Sequence, residues 1–134
     1  MFILHENFND KPIILDKKEF LLLLNPIEEL RWFILIPKIE NLKNILDFSN
    51  EKDYIKIQKI ILKISSILDK KYKPTQLNIA TLGNITPQLH YHLILRNDND
   101  KFWPNSPFDK EFTKIIDKKK ISDLIPKYKL ILEV

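Results

Sequence analysis

Short apolar runs, separated by charged or turn-forming residues, fill the beginning of the chain. The runs PIILD (12–16) and EFLLLLN (19–25) flank a charged step and predict two strands joined as a hairpin. RWFILIP (31–37) is a third run, rich in aromatic and branched residues, and PIEE before it predicts a turn. The leucine run (21–24) also fits a helical fragment, but its length and its proline neighbour favour a strand.

A longer pattern with helical spacing comes next. Ser49 or Asn50 can cap its start, and the acidic residues Glu51 and Asp53 suit a first helical turn. Apolar residues then recur mostly at three- and four-residue steps, which predicts one buried stripe that ends near residues 70–72. The stripe consists of Ile55, Ile57, Ile60, Ile61, Ile64, Ile67 and Leu68.

The second half of the chain returns to strand patterns. QLNIATL (76–82) and QLHYHLIL (88–95) predict a fourth and a fifth strand, followed by a polar loop (96–109). The tail (110–134) has helical spacing that Pro126 is expected to kink or break. The apolar positions of the tail are Phe112, Ile115, Ile116, Ile121, Leu124 and Ile125. The whole pattern predicts an α+β fold, in which one long helix packs on an antiparallel sheet of about five strands.

Composition narrows the class of protein. A chain of 134 residues favours a single domain (1–134), and the lack of cysteine excludes disulfides and is typical of a reducing cytoplasm. The N-terminus does not resemble a secretory signal, and no apolar run approaches the ~18 residues that a membrane span needs. The net charge of +4 suits an anionic ligand, but the lysines are scattered and do not favour nucleic-acid binding.

The fifth predicted strand carries the candidate chemistry. It holds His90 and His92, two of the three histidines, and the only glycine, Gly83, lies shortly before it. Because side chains alternate along a strand, Gln88, His90 and His92 share one face, which we expect to be open. The intervening Leu89, Tyr91 and Leu93 are expected to pack against the helix.

Three interpretations of this polar row are open. The histidines can be tolerated residues on a solvent face. They can also share a metal ion, which would need a third ligand such as His5, Asp98 or Asp100. Thirdly, one of them can act as a nucleophile.

The nucleophile hypothesis follows from the chemistry of a neutral imidazole. If a main-chain carbonyl accepts the N–H of His90, the other ring nitrogen keeps its lone pair and can attack phosphorus. His92, Gln88 and Asn84 would supply hydrogen bonds to the phosphoryl oxygens. Gly83 would allow a close approach of the backbone to phosphate.

The stretch GNITPQLHYHLILR (83–96) resembles the signature of the histidine-triad (HIT) superfamily of nucleotide hydrolases and transferases. The signature alternates three histidines with apolar residues after an upstream Gly-Asn or Gly-Gln pair; here Gln88, His90 and His92 fill the three positions. RWFILIPK (31–38) and DKFWPNSPF (100–108) are similar to further family segments, the latter to a bacterial subgroup that also has glutamine at the first position. The resemblance covers roughly residues 2–108, and the helical tail (109–134) adds little to it.

The resemblance implies a nucleophile at His90, phosphate and leaving-group contacts from His92, and a phosphate contact from Asn84. It also implies a nucleoside-phosphate substrate, a role for Asn25 near ribose and phosphate, a homodimer, and no metal or other cofactor for the covalent step. The glutamine at position 88 departs from the family pattern. Its main-chain carbonyl can still orient His90, but its amide cannot carry a proton, so weak activity and a non-catalytic nucleotide-binding module are both open.

Other residues have simpler interpretations. Asn25 suits the end of a strand, and we expect Trp32 and Trp103 to contribute packing. Arg96 is expected to end its strand as a surface cation. His5 is expected to be structural, although an N-terminal segment can fold over the site.

Overall fold

The computed structural model of the chain describes residues 1–112 and 114–133. Five strands form one antiparallel sheet in the order β1-β2-β3-β5-β4. Their bounds are β1 Ile13–Asp16, β2 Phe20–Leu24, β3 Arg31–Pro37, β4 Gln76–Ala80 and β5 Tyr91–Arg96. The helices are α1 (Glu51–Tyr72) and α2 (Lys118–Leu132), with short 3-10 turns at Glu6–Phe8 and Ile45–Asp47. The predicted α+β architecture is therefore confirmed.

Helix α1 begins and ends where its terminal residues dictate. The side chain of Asn50 accepts a hydrogen bond from the main-chain N–H of Asp53 at 2.9 Å, which decides between the two predicted caps. Lys73 closes the helix in the left-handed conformation, and Pro74 then prevents its continuation. The buried side of α1 contains Ile57, Ile61, Ile64, Ser65 and Leu68, so most of the predicted stripe faces the sheet. Ile55, at the start of that stripe, is 41% exposed, and its predicted burial is wrong.

Both faces of the sheet are covered. One face carries Tyr91, Leu93 and Leu95, which pack in the main core with α1 and α2, as the alternation predicts. The opposite face carries Trp32, Ile34 and Ile94, which belong to a second apolar cluster. The N-terminal residues and the segment 102–112 supply Phe8, Phe102, Phe108 and Phe112 to this second cluster.

The prediction that the histidines lie on an open face is therefore wrong. His90 and His92 are only 5% and 9% exposed. The sequence pattern identified the correct face, but it gave no sign that aromatic side chains distant in sequence would cover it.

The tail also differs from its prediction. The helix begins at Lys118, where Asp117 caps it, and the apolar residues before it do not continue the helix. Ile115 instead forms an isolated antiparallel bridge with Ile27. Pro126 lies inside α2 without ending it, because Tyr128 and Leu132 beyond the proline are buried in the main core.

Neither α1 nor α2 combines the length and apolar composition that a membrane crossing requires.

Candidate active site around His90

His90 lies beside a small cavity just before β5 begins. The cavity has a volume of about 200 Å³ and is bounded by two loop segments, one before α1 and one after β4. Its lining residues are Lys43, Asn44, Thr81, Leu82, Gly83, Asn84, Leu89 and His90. The main-chain N–H of Leu89 donates to the carbonyl of Leu42 at 2.8 Å and so joins the two sides. The structure thus brings together Gly83, Asn84 and His90, which the sequence singled out.

Gly83 is required by close packing rather than by its backbone dihedral angles. Its φ is not in the left-handed region. A Cβ atom at this position would lie 3.0 Å from the carbonyl oxygen of Thr86, tighter than nine in ten real Cβ contacts, and 3.8 Å from the carbonyl oxygen of Lys43. Any larger residue would therefore force the Thr86 main chain to shift by a few tenths of an ångström.

The His90 ring is oriented by its own main chain. Its Nδ1 atom lies 2.7 Å from the carbonyl oxygen of Gln88. Because a carbonyl oxygen can only accept, Nδ1 carries the proton and donates it, and Nε2 keeps a lone pair. Burial lowers the pKa of His90 below its ordinary value of 6.5, and the hydrogen bond to Gln88 opposes this shift. The ring is therefore in the neutral form that can act as a nucleophile at neutral pH.

His92 has the opposite arrangement of ring protons. The indole Nε1–H of Trp32, a group that can only donate, is 2.9 Å from Nδ1 of His92 in a buried contact. The proton of His92 is therefore on Nε2, and His92 is not among the residues that line the cavity. Burial, and secondarily the neighbouring His90, lower the pKa of His92 to about 3. The centroids of the His90 and His92 rings are 4.8 Å apart, and the rings meet edge-on.

Sequence reasoning expected Trp32 only to contribute packing and missed this contact. Trp32 does pack in the second cluster, with edge contacts to Phe108 and Phe112. The available signal was that a buried tryptophan N–H needs an acceptor. Finding that acceptor required the register of β3 against β5, in which Ile34 pairs with His92 and Trp32 lies two residues further along.

The Gln88 side chain faces the N-terminus of the chain. Its Oε1 accepts from the main-chain N–H of His5 at 2.8 Å, and its Nε2 donates to the carbonyl of Ile3 at 2.9 Å. The expectation from sequence was that this amide would face a substrate. The main-chain carbonyl of Gln88 does contact the His90 ring, as the resemblance implies.

The remaining sequence candidates are more dispersed. Asn84 is exposed at the cavity mouth, whereas Asn25 lies half-buried at the β2–β3 turn and is not among the cavity-lining residues. The prediction of a surface role for Arg96 is wrong, because the side chain is 2% exposed and forms an ion pair with Asp100 at 2.8 Å. Arg96 also donates to Asn78 at 3.0 Å, so this arginine joins β4, β5 and the following loop.

Metal-ligating side chains do not gather at the histidines. Within residues 1–112 and 114–133, no three His, Cys, Asp or Glu side chains are grouped so that they could hold a metal ion. Asp100, one of the third ligands considered, accepts hydrogen bonds from Arg96. Burial acts to raise the pKa of the Asp100 carboxyl, but hydrogen bonds, chiefly from Arg96, outweigh it and lower that pKa.

Comparison with known proteins addresses the family and the fold of the chain. A model of the HIT domain matches residues 6–99. The crystal structure of a histidine triad protein from Marinobacter aquaeolei is 26% identical, with a TM-score of 0.90 over 99% of this chain and 97% of that one. A histidine triad protein from Bradyrhizobium japonicum is also 26% identical, with a TM-score of 0.88 over 98% of each chain.

A third histidine triad protein, from Sinorhizobium meliloti, has 23% identity and a TM-score of 0.89 over 98% of this chain and 97% of that one, which supports the fold. No curated protein matches the chain significantly. The family model nevertheless spans well over half of the sequence, including Gly83, His90 and His92. The chain therefore belongs to the HIT domain family.

Proposed function

We propose that the chain is a nucleotide hydrolase or nucleotidyl transferase that acts through a covalent nucleotidyl intermediate on His90. The observation that carries the proposal is the hydrogen bond from His90 Nδ1 to the Gln88 carbonyl, which leaves Nε2 with its lone pair. The position of His90 in the wall of a cavity beside Asn84 and Gly83 supports it further. The substrate class we propose is an AMP-like nucleoside phosphate: a dinucleoside polyphosphate, a nucleotide phosphoramidate or an adenylylated group.

The proposed reaction has two displacements at phosphorus. In the first, the Nε2 lone pair of His90 forms a bond to phosphorus, and the bond from phosphorus to the leaving group breaks with its electron pair. In the second, water or another acceptor attacks the same phosphorus and the bond to Nε2 breaks, which restores the neutral ring. Hydrolysis thus releases a nucleoside monophosphate, and the proton of the attacking water passes to solvent.

The other site residues stabilise charge in this scheme. His92 donates from Nε2 to a phosphoryl oxygen, and Asn84 donates from its amide. Gln88 contributes its main-chain carbonyl, which holds the His90 tautomer in both steps. Gly83 keeps the loop close to the cavity, and we retain Asn25 as a candidate contact to the nucleoside at the β2–β3 turn.

The test compares the wild-type protein with His90→Ala on adenine dinucleotides and adenosine phosphoramidates. We expect turnover to fall at least about a thousandfold, because removing a nucleophile removes the covalent route. When the reaction is stopped without acid, mass spectrometry should find a nucleotidyl group on the peptide that contains His90. Equal turnover by both proteins would reject His90 as the nucleophile.

The pH profile is part of the same experiment. Protonation of Nε2 removes the lone pair, so the rate falls on the acidic side of the His90 pKa. Because burial lowers that pKa, we expect wild-type activity to persist below pH 6.5, the ordinary midpoint of histidine, and to decline only at lower pH. A decline centred at or above 6.5 would contradict the role assigned to the buried ring.

The alternative is a nucleotide-binding module of the same fold that does not turn over its ligand. Gln88 favours it, since glutamine stands at the first position of the triad and cannot transfer a proton. Tight AMP binding without product over long incubation, in both the wild type and Gln88→His, would support this alternative.

We further propose a cytoplasmic homodimer of the bacterial subgroup that carries glutamine at the first triad position. β4 is an edge strand that pairs with β5 on one side, and its Ile79 is 48% exposed, which suits contact with a second copy. Analytical ultracentrifugation should give twice the chain mass of 16.1 kDa, and a monomer at high concentration would exclude the dimer.

A further inference from the structure

The N-terminal segment (residues 2–8) lies against the loop that leads into β5. Gln88 contacts it at two points, because its Oε1 accepts from His5 N–H and its Nε2 donates to the Ile3 carbonyl. The amide therefore pairs with the segment through one donor and one acceptor, as a neighbouring strand would. The two contacts join residues that are far apart in the sequence, with separations of 83 and 85 positions.

Further contacts continue the attachment towards His90. The side chain of Asn7 donates to Thr86 Oγ1 at 2.9 Å, two residues before Gln88. His5 caps the 3-10 turn by accepting from Asn7 N–H through Nδ1 at 3.0 Å. The turn ends at Phe8, which is 4% exposed and meets the His90 ring edge-on, with ring centroids 5.0 Å apart.

We propose that Gln88 is a positioning residue whose side chain holds the N-terminal segment in place, so that Phe8 covers one side of the His90 nucleophile. This inference rests on the proposed function of His90. Gln88 thus has two separate roles: its main-chain carbonyl fixes the tautomer of the ring, and its side chain fixes the cover over the ring.

The chemistry of position 88 explains why an amide suits this role. The oxygen and nitrogen of a glutamine amide lie on one carbon in one plane, so a single side chain accepts from His5 and donates to Ile3. The two nitrogens of an imidazole point apart from each other, and a carboxylate offers no donor for the Ile3 carbonyl. Glutamine at the first triad position therefore has a different role from the histidine of the family signature.

A fixed Phe8 affects the reacting ring more than the nucleotide. Phe8 contacts His90 and belongs to the second apolar cluster, whereas the cavity is lined by Asn84 and its neighbours and does not include Phe8. Loosening the segment lets water reach the ring and lets the ring leave its attacking orientation. We therefore expect a fall in kcat with little change in KM.

The first experiment measures the attachment directly, without turnover. In Gln88→Leu, which keeps side-chain bulk and removes both hydrogen bonds, hydrogen exchange at the His5 amide should accelerate by about tenfold or more. Gln88→Glu keeps the acceptor for His5 but not the donor for Ile3, so its exchange should be intermediate. Unchanged exchange in Gln88→Leu would overturn the proposal, whatever the activity.

The second experiment asks whether Gln88 acts through the segment or directly on substrate. A variant that lacks residues 2–5 but keeps Phe8 loses both partners of the Gln88 amide. If Gln88 acts through the segment, Gln88→Leu lowers kcat about tenfold in the full chain and has no further effect in the shortened chain. The same loss in both chains would mean that the amide acts on the substrate, and would overturn the proposal.

A matched control and a separate check complete the design. Thr86→Val removes only the Asn7 attachment and should accelerate exchange less than Gln88→Leu. If His90→Ala were as active as wild type, the proposed function would fail, while the exchange measurements would still decide whether Gln88 holds the segment.

Discussion

At the scale of single residues, the site is defined by two imidazole rings with opposite proton positions. A main-chain carbonyl accepts from Nδ1 of His90, and an indole N–H donates to Nδ1 of His92. Each partner permits only one direction of hydrogen bonding, so each ring is restricted to one neutral tautomer. The lone pair of one ring and the N–H of the other are thereby fixed without any charged residue.

Trp32→Phe tests this restriction, because it keeps an aromatic ring and removes the N–H donor. We expect His92 to become a mixture of tautomers, visible in the ¹⁵N shifts of its ring. Leaving a buried acceptor unpaired should also reduce the free energy of unfolding by about 1–3 kcal/mol. Trp103→Phe is the matched control, because it makes the same substitution at a tryptophan whose ring faces Arg96, at 5.8 Å, and not His92. A single unchanged His92 tautomer in Trp32→Phe would show that the indole does not fix the ring.

Sequence separation explains which of these contacts could be predicted. The partner of His90 is two residues away, and the resemblance to the HIT signature was enough to expect it. Trp32 and His92 are 60 positions apart, and their contact depends on β3 lying beside β5. The cover provided by Phe8 depends on a segment still further away, which is why the histidines were expected on an open face.

At the scale of elements, the two helices show when a sequence pattern is sufficient. α1 has a cap, an unbroken apolar stripe and a left-handed closing residue before proline, so its limits follow from local chemistry. The tail has weaker signals, and Ile115 was assigned to a helix although it forms a bridge with Ile27. Pro126 was expected to disturb α2, but burial of the residues that follow it maintains the helix.

The importance of that burial for α2 can be measured with two leucines of the same helix. Leu132 is 6% exposed in the main core, whereas Leu130 is 80% exposed. We expect Leu132→Ala to lower the free energy of unfolding by about 2–5 kcal/mol, because it leaves a cavity in the core. Leu130→Ala should change it by less than about 0.5 kcal/mol. Equal effects in urea unfolding would show that α2 is not anchored through this face.

At the scale of the whole molecule, the candidate site lies where three separate parts of the chain meet. The loop before α1, the loop after β4 and the N-terminal segment all converge on the start of β5. The sequence contained each part, and the motif identified the loop and the histidines. The sequence pattern did not predict the strand order or the apolar layer on the histidine face, because both result from contacts between distant segments.

The low pKa of His92, about 3, limits the chemistry that the finished site can perform. At neutral pH this ring can donate a hydrogen bond but cannot transfer a proton. The histidine pair therefore offers no general acid that could protonate the leaving group. Reactions should then depend on how stable the expelled group is by itself. With aryl esters of AMP, we expect the rate to fall steadily as the basicity of the expelled phenolate increases; a rate indifferent to that basicity would reveal a proton source elsewhere.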